Sequence, residues 1–153
     1  MERRLTEERI TRRMLSWLKD EGWAIVSYDY PQSGTGYSLH SRDRVDGSKN
    51  IGAIIPDIVA ARNGTAIFFE NKVDFNIVDI EAITSLKRSG LYDESIFALL
   101  KPFGPIAAIR FGVALKDNSK NIDKILQHQS SLDFAFLVGT SLEVNLCHGL
   151  IDC

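Results

Sequence analysis

The stretch AIIPDIVAARNGTAIFFENKV (53–73) decides the fold. Two apolar runs flank Asn63-Gly64, a pair that forms a two-residue hairpin turn because both positions accept positive φ at low cost. AIIPDIVAAR (53–62) and TAIFFENKV (65–73) are therefore predicted as paired antiparallel strands. Asp57 lies directly before Ile58-Val59-Ala60-Ala61, and Glu70 directly after Ala66-Ile67-Phe68-Phe69. An isolated charge among such residues is expensive, so each acid needs a partner or a metal. Glu70 and Lys72 are two apart on a strand and share one face. Pairing through the turn brings Asp57 to them, so two carboxylates and an ammonium converge.

Working outward, residues 3–21 have the spacing of an amphipathic helix, with Ile10, Met14, Trp17 and Leu18 on one side and Gly22 as a stop. WAIVSYDY (23–30) is predicted as a strand ended by Pro31, and the polar, glycine-bearing residues 32–49 as a long loop. Downstream, the pattern predicts a helix over 77–89, strands over 96–101 and 106–115, a helix over 119–129, and a closing strand pair at 134–139 and 142–147. No repeat, low-complexity segment or linker interrupts the chain. The expectation is one α/β domain over residues 1–153, a mixed sheet with helices packed on it.

The 153 residues suffice for a core without disulfide staples, and 44% apolar with 25% charged residues is an ordinary globular composition. No apolar run is long enough for a bilayer, and the charged start MERRLTEERITRR is not a secretory signal. Cys147 and Cys153 have no metal-ligand spacing, which fits a reducing, cytoplasmic setting. A net charge of −2 conceals clusters of base at 3–13 and 42–49 and of acid at 70–81. Such a distribution is compatible with a nucleic-acid enzyme, whose metal site needs carboxylates and whose surroundings need cations.

Asp57 and Glu70, with the Asn71 carbonyl as a possible third donor, are hard oxygen ligands suited to Mg²⁺, with Mn²⁺ able to substitute. That set serves phosphodiester hydrolysis. Lys72 would orient the attacking water, help deprotonate it, or neutralise transition-state charge, and the sequence leaves these roles open. Pro56-Asp57 followed by Glu70-Asn71-Lys72 resembles the PD-(D/E)XK nuclease superfamily. GWAIVSYDYPQSG (22–34) with PDIVAARNGTAIFFENK (56–72) further resembles the core of archaeal Holliday-junction resolvases. The likeness covers roughly residues 5–75; the closing strands depart from the resolvase pattern. It implies a restriction endonuclease-like fold and a Mg²⁺-dependent DNA endonuclease with Asp57, Glu70 and Lys72 as catalytic residues. The enzyme would be of restriction type, a homodimer or the cleaving subunit of a larger assembly, because one site cuts one strand. A structure-specific junction or repair nuclease and a non-catalytic DNA-binding subunit are the rivals.

The resemblance also implies a further metal ligand from the first helix. Glu7 lies near the Ile10–Met14–Leu18 stripe, whereas Glu8 points about 100° away. A solvated acid at a helix start is the equally good alternative for either. Ser33, Tyr37, Arg42, Arg44 and Lys49 in the polar loop are the expected contacts to double-stranded or branched DNA. Asp74, Asp79 and Glu81 read as charges on a solvated helix face or as weak electrostatic support. His40, His128 and His148 are dispersed and read as structural. Against the whole site stands an exposed hairpin whose charges form a solvated ion cluster.

Overall fold

The computed structural model describes residues 4–30, 35–40, 54–88 and 90–149. Thr6 caps the first helix by accepting a hydrogen bond from the Arg9 amide at 3.2 Å, which satisfies one of the donors a helix start leaves free. Helix α1 (Glu7–Asp20) buries Ile10, Met14 and Leu18, with Trp17 packed at the margin. Strand β1 (Ala24–Tyr28) follows, shortened from the expected span and carrying a bulge between Ile25 and Ser27. Strand β2 (Ile58–Arg62) is also shorter than expected. Residues before Pro56 leave the ladder, and Ile54 makes only an isolated bridge to Leu39. Proline lacks the N–H a ladder needs, so Asp57 sits in a bend just ahead of β2.

Asn63 and Gly64 have φ of 49° and 81°, the geometry of the tight turn anticipated for this pair. It returns the chain into β3 (Thr65–Lys72), which pairs antiparallel with β2. Helix α2 (Ile77–Arg88) then begins the crossover to the parallel strand β4 (Ala108–Lys116). The expected strand over 96–101 is instead helix α3 (Asp93–Leu100). Ile96, Leu99 and Leu100 have helical spacing and are the buried ones, and Asp93-Glu94 sit where a helix N-terminus favours acids. Helix α4 (Ser119–Gln127), capped by Asn118, leads to β5 (Phe134–Val138), parallel to β4. Strand β6 (Val144–Gly149) closes the sheet antiparallel to β5.

The six strands form one mixed sheet in sequence order, β1 to β6. Alternation divides its side chains between two cores. Ile67, Phe69, Ala114, Phe134 and Phe136 face α1, which covers that side. Val59, Phe68 and Phe111, with Val113, Leu115 and Leu137, face α2, α3 and α4. Gly112 is obligatory at the centre: a Cβ there would lie 2.6 Å from the Phe134 ring. Among the described residues no helix is long and apolar enough to cross a membrane. The topology gathers the carboxyl ends of β1, β3 and β4, the start of β2 and the N-terminus of α1 at one end of the sheet. Ligands bind at the carboxyl ends of strands in open α/β sheets.

Candidate active site

The register of the hairpin builds the site. Ile58 pairs with Phe69, so the next residues outward, Asp57 and Glu70, oppose each other across β2 and β3. Alternation puts both side chains on the face covered by α2. They are about nine-tenths buried, at 8% and 9% exposure, and their carboxyl groups are hydrogen-bonded to each other. The Asn71 amide donates to Asp57 Oδ2 at 2.8 Å, and the Asp57 carbonyl accepts from the Asp29 amide at 2.8 Å. A carboxyl at this bend is thus fixed from both neighbouring strands.

Two acids so placed cannot both ionise cheaply. Burial pushes the Glu70 carboxyl far up, with the Asp57 charge and their mutual hydrogen bond adding to it. Burial also raises Asp57, though its bonds to Glu70 and the Asn71 amide oppose the rise. The pair therefore shares a proton at neutral pH, and the excess proton resides chiefly on Glu70. Either a proton or a cation relieves the repulsion. The donor chemistry is hard oxygen, which fits Mg²⁺ or Mn²⁺. Asp57 and Glu70 are the side chains that would hold such an ion. On an extended strand a residue's carbonyl points to the same side as its N–H, so the Asn71 carbonyl also faces Asp57.

Lys72 lies on the same face of β3 as Glu70, one residue pair closer to solvent. Its ammonium donates to both Glu7 carboxylate oxygens, at 3.3 and 3.4 Å. Burial works against its charge, but Asp79 and Glu7, with Asp57 behind them, raise its pKa overall. Lys72 is accordingly an ammonium in the metal-free protein. Its place suits orientation of a nucleophile or neutralisation of charge better than proton abstraction.

Glu7 reaches the site because α1 is pinned there. The Asn71 side-chain amide, fully buried, donates to Thr11 Oγ1 at 3.0 Å, and Thr11 Oγ1 donates to the Glu7 carbonyl at 2.9 Å. Glu8 instead pairs with Arg12 at 3.8 Å on the exposed side. Glu7 is held by Lys72 rather than placed as a third carboxylate on the Asp57–Glu70 pair. Among the described residues no three His, Cys, Asp or Glu side chains close on one point.

Asp79 is the site residue that spacing alone undervalues. It stands in the first turn of α2, and one carboxylate oxygen is buried without a hydrogen-bond partner among the described residues. Burial raises its pKa, opposed by the charge of Lys72. The available signal was topological: the helix that begins the crossover from β3 must start beside the end of that strand. Of the expected DNA contacts, Tyr37 is 40% exposed on the segment 35–40, and no described contact ties it to the carboxyl pair. Ser33, Arg42, Arg44 and Lys49 lie outside the described residues.

The chain matches no family model, and no curated protein is similar to it.

Proposed function

We propose that this chain is a Mg²⁺-dependent DNA endonuclease, of restriction type or the cleaving subunit of such an enzyme. One observation carries the proposal: two buried carboxylates oppose each other on adjacent strands, with an ammonium two residues along the same face. A structural ion cluster would not bury its like charges together, because the same core space filled by apolar residues would be more stable. A divalent cation held by Asp57 and Glu70 would polarise the scissile phosphate and acidify a nearby water. The chain's own groups do the rest. Glu7 holds the Lys72 ammonium, and Asp79 and Glu7 together keep it charged. Lys72 orients the nucleophile and offsets negative charge as it grows on the phosphoryl oxygens. A break in both strands requires a second site, from another copy or a partner subunit.

The test is cleavage of supercoiled plasmid and of a four-way junction, with Mg²⁺ or with EDTA, by the wild type and Lys72→Ala. Discrete Mg²⁺-dependent plasmid fragments that disappear in the variant are expected. Symmetric nicking of the junction alone would transfer the assignment to a structure-specific nuclease. Cleavage that persists undiminished in Lys72→Ala or in EDTA would remove this site from the chemistry.

A further inference from the structure

Helix α2 turns Ile80, Ile83 and Leu86 into the core and presents its opposite face outward. At the start of that face Ile77 and Val78 are 45% and 65% exposed, and Glu81 and Arg88 are exposed further along. Ile77, Glu81, Thr84 and Arg88 follow one another at intervals of four, three and four residues, the spacing of a seam that packs on another helix. They line a groove of about 450 Å³, together with His128 and Ser131 just past α4. The two charges of the seam identify what would cover it. They lie seven residues apart, about 10 Å along the axis, too far to pair with each other. Neither has an ion pair or hydrogen bond among the described residues, whereas the neighbouring Lys87 is held by Asp133. A face with one charge of each sign at equal distances from its centre is complementary to itself turned end for end.

We propose that α2 is an isologous interface with a second copy of this chain, the two helices antiparallel and held in register by reciprocal Glu81–Arg88 pairs. The two-fold axis passes between Thr84 and Ser85, whose small side chains let the helices approach. Ile77 and Val78 of each copy then cover the turn that follows α2 in the other, where Leu91 is half-buried. A pair of twelve-residue helices, each about 18 Å long, is smaller than a standard interface. The dimer is therefore expected to dissociate at about micromolar concentration and to weaken with salt. Its use deepens the nuclease assignment and rests on it, because the second copy supplies the second site. Asp79, in the first turn of α2, acts on Lys72, so the interface helix is continuous with the site. The two helix starts would stand about 22 Å apart along the paired axes, less than the roughly 34 Å of one duplex turn.

Sedimentation equilibrium in EDTA, without DNA and at low salt, separates the interface from catalysis. From about 1 to 300 µM the wild type is expected to pass from monomer to dimer. Glu81→Arg and Arg88→Glu each set like charges opposite one another at both ends of the seam, so each should raise Kd about tenfold or more. Both residues are exposed and unpaired within the chain, so thermal melts of the variants should match the wild type. Mixing the two variants should restore the dimer, because the heterodimer has opposite charges at both ends. Only the antiparallel, reciprocal register gives that rescue. A wild type that stays monomeric throughout, single variants that dimerise as tightly as the wild type, or a mixture no tighter than its components would overturn the proposal. A chain that cuts plasmid yet stays monomeric would lose the interface alone. One that shows the rescue but cuts no DNA would lose the nuclease assignment alone.

Discussion

Replacing Glu70 by glutamine is expected to stabilise the metal-free protein while abolishing its activity. An ordinary glutamate loses its proton near pH 4.5, and in the fold Glu70 keeps it to about 10. Through that window the folded chain holds more protons than the unfolded one, so stability falls as pH rises. At pH 7.5 the gap from 4.5 is about three units, each worth about 1.4 kcal/mol, for a penalty of about 4 kcal/mol. Glutamine has nearly the same shape and can donate its amide to Asp57. It leaves Asp57 ionised in a buried place, which retains part of the cost. A net gain of about 2 kcal/mol remains, or a Tm higher by about 4–8 °C for a chain of this size. The assay is thermal or urea unfolding of wild type and Glu70→Gln in EDTA, from pH 4.5 to pH 9. The difference should be near zero at the acid end and grow with pH. A variant no more stable than wild type at pH 7.5, or a gain equal at pH 5 and pH 8, would refute the shared-proton account.

Metal should act on the same repulsion from the other direction. Saturating Mg²⁺ or Mn²⁺ at about a hundred times Kd is expected to stabilise the wild type by about 2.7 kcal/mol, and Asp57→Asn to lose most of that response in a thermal-shift assay. An undiminished response in the variant would place the ion elsewhere. Thr11→Val removes the hydroxyl between Asn71 and Glu7 without changing shape much, so about 1–3 kcal/mol of stability should go. Cleavage should slow as well, because Glu7 loses its fixed position; wild-type rates and stability together would refute the pinning role. Asn121 is fully buried and bonds to the carbonyls of Val73 and Lys116 and to the Phe75 amide. Asn121→Ala should cost about 2–4 kcal/mol in urea unfolding, and a loss below the error of the measurement would contradict that tally of bonds.

The hairpin and its carboxyl pair were legible in residues 53–73 because strand, turn and acid placement are all local there. The choice of Glu7 over Glu8 followed equally from helical phase, and the two side chains diverge as the wheel requires. What failed were features set by long-range packing. The run 96–101 has strand-like content, and only its packing against Val59, Phe68 and Phe111 selects the helical face that buries Ile96 and Leu99. Asp79 gained its place from the crossover that α2 begins. Asp57 sits outside the ladder because Pro56 ends it, a boundary that the continuous apolar run concealed.

Two of the devices that fix this end of the sheet differ in how far apart along the chain their parts are. Asp57 and Glu70 belong to one tight hairpin, whereas Asn121 reaches back 48 residues to Val73. Short loops close first because little entropy is lost in joining their ends. The charged end of the hairpin is therefore expected to meet early in folding, and the Asn121 tie to form on the downhill side of the barrier. Kinetically, Asn121→Ala should then unfold faster with its folding rate nearly unchanged. A chevron in which the folding arm slows instead would show that the distant tie belongs to the nucleus. If the order holds, this end of the sheet is assembled by its nearest neighbours and locked later by a more distant one.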